Sequence, residues 1–215
     1  MGQDETALPD SFAVFPLPGA LLLPGGRLPL NIFEPRYIAM TEDALAGGRV
    51  VGMIQPNPSL PARPQGPALY RVGCLGRLTS FTETEDGRFL ITLAGLTRFA
   101  VLQELPMRRG YRRVSADLAS FAADLAPAAS AAAPRTALLA ALRPYFAQRD
   151  IEVNWEAMGR MEDAALITAL SMACPFAASE KQALLEAPDQ AARADILLAL
   201  LQIDTHAGQN GGRVS

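Results

Sequence analysis

The residue types best suited to nucleophilic catalysis are scarce in this chain, and their spacing argues against a catalytic pair. Lys181 is the only lysine among 215 residues, and Ser179 is the nearest serine. A Ser–Lys pair requires both side chains within hydrogen-bond reach and an apolar pocket that lowers the pKa of the lysine. Side chains two positions apart at a helix start do not face each other, and lysine is seldom buried without a partner. We therefore expect Lys181 to be exposed and the chain to be non-enzymatic.

Histidine and cysteine are equally scarce, which argues against the common metal and cofactor sites. His206 is the only histidine and lies in a polar, glycine-containing segment, where it cannot be held within about 3 Å of a catalytic partner. Cys74 and Cys174 lie far apart, without the spacing of a metal site or a disulfide framework. No glycine-rich phosphate-binding loop accompanies Lys181. We predict two buried structural thiols and neither a cofactor nor a metal.

One basic cluster stands out in a chain whose formal net charge is −3. Residues 107–114 read MRRGYRRV, and the residues with binding potential are Arg108, Arg109, Tyr111, Arg112 and Arg113. Such a cluster suits a phosphate backbone with a base stacked on the tyrosine ring. Clustered charges are also common at soluble sheet edges, where they discourage strand addition. Because the whole chain is acidic, nucleic-acid binding is kept here as an alternative.

The elements that position these residues are strands in the first half of the chain. Extended segments are predicted at 12–17, 27–32, 50–55, 70–84 and 89–101, with a helix from Pro35 to Ala46. Proline suits the first position of that helix, and Asp86-Gly87 suits a hairpin turn because it tolerates positive φ angles. Gly73 and Gly76 indicate tight packing inside a strand. Many short strands joined by tight turns favour a closed or nearly closed barrel.

The second half predicts helices, which gives an α+β fold with two lobes. Helices are expected at 135–148, 164–173 and 190–203, and Ser179 with Gln182 suggests a capping box at one further helix start. Residues 126–134 are rich in alanine and carry two prolines, so they are the best linker candidate. The predicted organisation is a barrel lobe at 10–118, a helical lobe at 119–204, and flexible tails at 1–9 and 205–215.

Four segments resemble a known family, the N-terminal substrate-binding domain of the ATP-dependent protease Lon. They are FPLPGALLLPGGRLPLNIFEPRYIAM at 15–40, VGCLGR at 72–77, DGRFLITLAGLTRF at 86–99 and KQALLE at 181–186. The resemblance covers roughly 12–203. It implies an N-terminal PUA-like β-barrel with one inserted helix, followed by a C-terminal helical bundle. It also implies a free-standing domain without the ATPase and protease parts of Lon.

The resemblance points to a binding site for polypeptide at Phe33, Pro35, Arg36 and Tyr37, although Phe33 and Tyr37 are alternatively core residues. A second candidate comes from the residues themselves. The segment PNPSLPARPQGP at 56–67 is a stiff, largely apolar loop that is expected to rim a groove, with Leu60 and Pro61 near its middle. Its plainer interpretation is a spacer of variable length.

The implied function is recognition of unfolded or degron-bearing protein segments, as an adaptor or quality-control factor, with a separate protease as a possible partner chain. The alternatives are a scaffold that docks one specific folded partner, and an RNA-binding PUA-like module that uses Arg108–Arg113. The acidic start, MGQDETALPDSF, does not look like a signal peptide, so a cytoplasmic location is expected. The arginine bias among basic residues indicates a bacterial, GC-rich source.

Overall fold

The computed structural model describes residues 8–126 and 134–211, with side chains described up to Thr205. The chain divides into two compact units, Met1–Ala126 and Pro127–Ser215. The predicted boundary at 118 therefore falls earlier than the observed one. A 3-10 helix, Ala119–Leu125, belongs to the first unit because Arg98 donates to Asp124 at 2.8 Å across it. Most of the predicted linker and of the first tail lies outside the described residues.

The described part of the first unit holds six strands and one inserted α-helix. They are β1 (Ser11–Pro16), β2 (Arg27–Ile32), α1 (Pro35–Ala46), β3 (Val50–Ile54), β4 (Val72–Glu83), β5 (Phe89–Arg108) and β6 (Tyr111–Asp117). The predicted bounds of β2 and α1 agree with the structure. The chain enters α1 through an extended Glu34, and Pro35 takes the first helical position. The separate strand β6 was not predicted.

The long strand β5 organises the sheet, whose order is β2-β5-β4-β3-β1-β6 with an additional β5–β6 pairing. The first half of β5 pairs with β2 and β4, and its last residues pair antiparallel with β6. The circuit β5-β4-β3-β1-β6 thus returns to the strand from which it starts. One parallel pair, β1 with β3, follows from the crossover through β2 and α1.

Glycine allows close packing inside this circuit. A Cβ atom on Gly73 would lie 2.4 Å from Cζ of Phe99 and 2.6 Å from the carbonyl oxygen of Met53. A Cβ atom on Gly95 would lie 2.0 Å from the carbonyl oxygen of Leu23. These positions confirm the packing role predicted for Gly73 and explain how Phe99 is fully buried in the core. The core cluster consists of Phe12, Val14, Val50, Ile54, Leu75, Phe99, Val114 and Ala116.

The described part of the second unit is helical. Its helices are α2 (Arg135–Ala147), α3 (Trp155–Arg160), α4 (Asp163–Ala173), α5 (Ala178–Glu186) and α6 (Gln190–Gly211). Contacts join α2, α4 and α5 to α6, whose Leu197 and Leu201 are fully buried. The short helix α3 was not predicted, and α6 extends through Gly211 where a flexible tail was expected from residue 205. None of the described helices combines the length and apolar character needed to cross a membrane.

The start of α5 corrects two predictions. Lys181 is only 7% exposed, and its Nζ lies 3.5 Å from the carbonyl oxygen of Met172. Burial lowers the pKa of Lys181. The predicted capping box placed the helix start at Ser179, but α5 begins one residue earlier, after Ala177. The backbone N–H of Ala177 donates a hydrogen bond to the Glu180 side chain at 2.8 Å. Both cysteines are free and buried, as predicted.

Candidate functional site

The start of α1 positions four of the residues that were predicted to bind polypeptide. Phe33 is 63% exposed directly before the helix, and Pro35 and Arg36 are exposed in its first turn. Arg36 pairs with Glu34 at 2.7 Å, and its guanidinium lies 4.5 Å from the ring centre of Tyr37. Tyr37 itself is buried, so most of its ring packs in the core and is not exposed on the surface as a binding residue.

Tyr37 nevertheless reaches a cleft of about 150 Å³, which we call the proline cleft. Four prolines line it, together with Tyr37 and with Arg112, whose side chain is buried. The lining residues are Pro16, Pro18, Arg36, Tyr37, Pro56, Gln65, Gly66, Pro67, Gly110, Tyr111 and Arg112. Proline rings offer apolar surface without backbone N–H groups, which suits an extended or polyproline-like segment.

Arg112 is the residue that holds the proline cleft together. It is 5% exposed, and its Nη2 and Nε donate to Oε2 of Glu104 at 2.6 and 3.1 Å. Its Nη1 donates to the carbonyl oxygen of Pro67 at 2.6 Å. The side chain therefore ties the proline-rich loop to β5 and β6. A guanidinium with these partners is not available to a phosphate backbone.

The proline-rich loop is ordered by a small internal pairing. Arg63 and Gly66 exchange backbone hydrogen bonds at 2.8 and 2.9 Å, with Gly66 at a φ of 122°. Leu60 is half exposed and Pro61 is exposed, and neither lines the cleft. The loop thus contributes its two ends, Pro56 and residues 65–67, to the proline cleft, while its predicted binding residues lie outside it.

The turn between β5 and β6 is fixed against α1 by ion pairs. Arg109 and Gly110 both have positive φ, of 47° and 86°, as a two-residue hairpin turn requires. Arg109 Nη2 lies 2.6 Å from Glu42, and its Nη1 lies 3.1 Å from Asp43. The Tyr111 hydroxyl donates to Asp43 Oδ2 at 2.7 Å. Tyr111 and Arg109 thus both contact the Asp43 carboxylate directly.

The electrostatics of this turn follow from those contacts. The hydrogen bond from Tyr111, and the arginines beside it, hold the pKa of Asp43 below its ordinary value. Burial and the same contact raise the pKa of Tyr111 to about 12. Asp43 is therefore a structural anion at neutral pH, and Tyr111 is a neutral donor. Neither has the intermediate pKa that a general acid or base requires.

The structure brings together some of the predicted site residues and separates others. Arg36, Tyr37, Tyr111 and Arg112 share the proline cleft, although the sequence assigned them to two competing functions. Sequence reasoning missed Pro16, Pro18, Gly110 and Glu104; the density of proline after Phe15 was the available signal for the first two. Within the described residues, no group of three or more His, Cys, Asp and Glu side chains is placed to hold a metal ion.

Comparisons with known proteins agree on one family. The family model of the ATP-dependent protease La (LON) substrate-binding domain matches residues 11–202. "Lon protease 2" of Sorangium cellulosum is 27% identical over 198 residues, which is 89% of this chain and 24% of that protein. "Lon protease" of Anaeromyxobacter dehalogenans is 28% identical over 96 residues, 45% of this chain and 11% of that protein. The chain thus corresponds to a minor part of these relatives.

Solved structures show the same fold. A Lon N-terminal domain protein from Xanthomonas campestris has a TM-score of 0.60 at 23% identity, covering 88% of this chain and 97% of that one. The N-terminal domain of a Lon protease from the Mycobacterium avium complex has a TM-score of 0.62 at 18% identity, covering 89% and 98%. At these identities the likeness supports the fold alone.

Proposed function

The chain belongs to the ATP-dependent protease La (LON) substrate-binding domain family, and we propose that it is a non-enzymatic module that recognises polypeptide. The observation that carries this proposal is the proline cleft, formed where α1, the proline-rich loop and the β5–β6 turn meet. The ligands in view are unfolded or degron-bearing segments, presented to a separate protease or quality-control partner in a bacterial cytoplasm.

The cleft suits an extended segment for two reasons. Its proline rings and the Tyr37 ring make van der Waals contact with apolar side chains but compete little for backbone hydrogen bonds. Phe33 and Leu60 are exposed apolar side chains just outside the lining of the cleft, on the elements that form it, so they are placed to contact the parts of a ligand that extend beyond the cleft. As part of the same proposal, the closed strand circuit is a PUA-like barrel and helices α2–α6 are the helical bundle.

The structure favours this function over RNA binding. Stacking a base requires an exposed ring, whereas Tyr111 is 3% exposed and donates to Asp43. Arg109 and Arg112 are paired with carboxylates. The remaining alternative is a scaffold that docks one specific folded partner.

A fluorescence-anisotropy titration tests the proposal. We expect the purified chain to bind a labelled, permanently unfolded polypeptide saturably in the micromolar range without ATP, and an excess of folded competitor to have no effect. Phe33→Ser should weaken binding about three- to tenfold, because an exposed aromatic anchor is removed without disturbing the core. The control is Ile203→Ser, at an equally exposed position in the second unit. A flat titration would exclude generic recognition of unfolded protein and leave the folded-partner scaffold.

A further inference from the structure

A second and larger cavity lies beside the proline cleft, with a volume of about 450 Å³, and we call it the arginine-lined cavity. Part of its wall comes from the segment before β1, from β1, from β3 and from the end of α1, and seven of its fifteen lining residues are apolar. The apolar residues are Leu8, Pro9, Phe12, Ala13, Met40, Ala44 and Val50. This volume falls in the range of about 300 to 1000 Å³ that is typical of ligand sites.

Arginines supply most of the charge of this cavity. Arg77, Arg108 and Arg113 line it, and Asp43 is the one carboxylate among its lining residues. Both oxygens of Asp43 are already used, by Tyr111, Arg108 and Arg109. Across residues 8–126 and 134–205, neither Arg77 nor Arg113 has a carboxylate within ion-pair distance. The cavity is therefore cationic in a chain whose net charge is negative.

The positions of the two unpaired arginines indicate the shape of the ligand. Arg77 lies on β4 and Arg113 on β6, and the sheet order places β3 and β1 between them. At a strand spacing of about 4.8 Å, their backbones stand about 14 Å apart across the sheet. One small anion would have to draw both side chains together. An extended chain instead carries alternate side chains about 7 Å apart on one face, so acidic groups four residues apart match the two arginines, with the side chain midway between them on the same face.

We propose that the arginine-lined cavity binds an extended polypeptide segment in which two acidic residues, four positions apart, flank an apolar residue midway between them. The apolar residue packs against Leu8, Pro9 and Ala13, the apolar lining residues that are not buried, while the acidic residues meet Arg77 and Arg113. This inference goes beyond the proposed function, because it assigns to the first unit a second site for polypeptide, separate from the proline cleft. Nucleic acid fits less well, since the cavity offers no exposed aromatic ring for a base.

The test uses the full chain and a fluorescein-labelled peptide, GSDSLSDSG, with GSNSLSNSG as its uncharged counterpart. We expect saturable binding of the acidic peptide and at least tenfold weaker binding of the uncharged one. Arg77→Gln and Arg113→Gln should each weaken binding about three- to tenfold, because each removes one charge-assisted contact. Arg27→Gln, at an exposed arginine of β2, is the matched control and should bind as the parent does.

Several results would overturn the proposal. These are equal affinity for both peptides, no effect of either arginine substitution, tighter binding of a single-stranded oligonucleotide at the same site, or full competition by inorganic phosphate alone. Binding that appears only after residues 1–7 are removed would assign the cavity to the acidic start of the chain itself. The titration with unfolded polypeptide distinguishes failure of this proposal from failure of the proposed function. If Phe33→Ser weakens that titration while the acidic peptide does not bind, only the second site for acidic segments is wrong.

Discussion

Replacing Arg112 by alanine should destabilise the first unit strongly, because its buried side chain joins Glu104 to the carbonyl oxygen of Pro67 beside the proline cleft. Its side chain and that of Glu104 are 6% and 12% exposed, so the small value typical of surface ion pairs does not apply. The substitution leaves Glu104 nearly buried with only the exposed Arg63 at 3.5 Å, and it leaves the Pro67 carbonyl without its donor. Breaking a buried pair from one side costs about 3 to 5 kcal/mol. Because Arg63 partly compensates, we expect about 3 kcal/mol.

The assay should follow the first unit separately. Trp155 is the only tryptophan and lies in α3, so its fluorescence reports on the second unit. Hydrogen exchange of peptides from residues 56–67 and 104–112, measured in increasing urea, follows the first. The double variant Arg112→Ala with Glu104→Gln should lose less than the sum of the two single losses, with a coupling of about 2 kcal/mol. A loss below about 1 kcal/mol in the single variant, or no coupling, would refute the role assigned to Arg112.

Three further predictions follow from named contacts. The pKa of Asp43 is lower in the folded state than its ordinary value of 3.8. Ionised Asp43 should therefore stabilise the folded protein fully above pH 3.8, and this stabilisation should be lost as the pH falls through the lower folded pKa. In a series of thermal melts, Asp43→Asn should abolish this contribution to the acid dependence. Gly73→Ala should destabilise the first unit by about 3 kcal/mol in urea unfolding, because the new methyl group overlaps Phe99, whereas Gly159→Ala, with open space around it, should be neutral or stabilising. Burial raises the pKa of the Cys174 thiol to about 11, so a thiol reagent at pH 8 should react with it only as fast as the second unit opens, and stoichiometric labelling within seconds would contradict this.

The local elements were predictable where the sequence carries a local physical signal. The bounds of α1 follow from Pro35 at its start and the glycines after Ala46, and the Asp86-Gly87 turn follows from its tolerance of positive φ; Gly87 has a φ of 77°. The strand β2 was also found from its pattern alone. These features depend on a few neighbouring residues, so one sequence is enough to identify them.

The candidate site was less predictable because it depends on contacts between distant segments. Nothing near Arg112 in the sequence shows that it lies between Glu104 and Pro67. It was therefore grouped with its neighbours as a basic patch. The prediction that Lys181 is exposed was wrong for the same reason. Its burial results from packing within the helical unit, whereas the prediction used the general rule that lysine is exposed.

The most direct test of the central claim is a hydrogen-exchange footprint of the full chain with and without a saturating unfolded polypeptide. The account predicts slower exchange on binding in residues 33–37, 56–67 and 108–113, the segments around the proline cleft, with Phe33→Ser reducing that protection and Ile203→Ser leaving it intact. Protection confined to α2–α6, or no change in exchange at saturation, would contradict the claim that the proline cleft is where this chain recognises polypeptide.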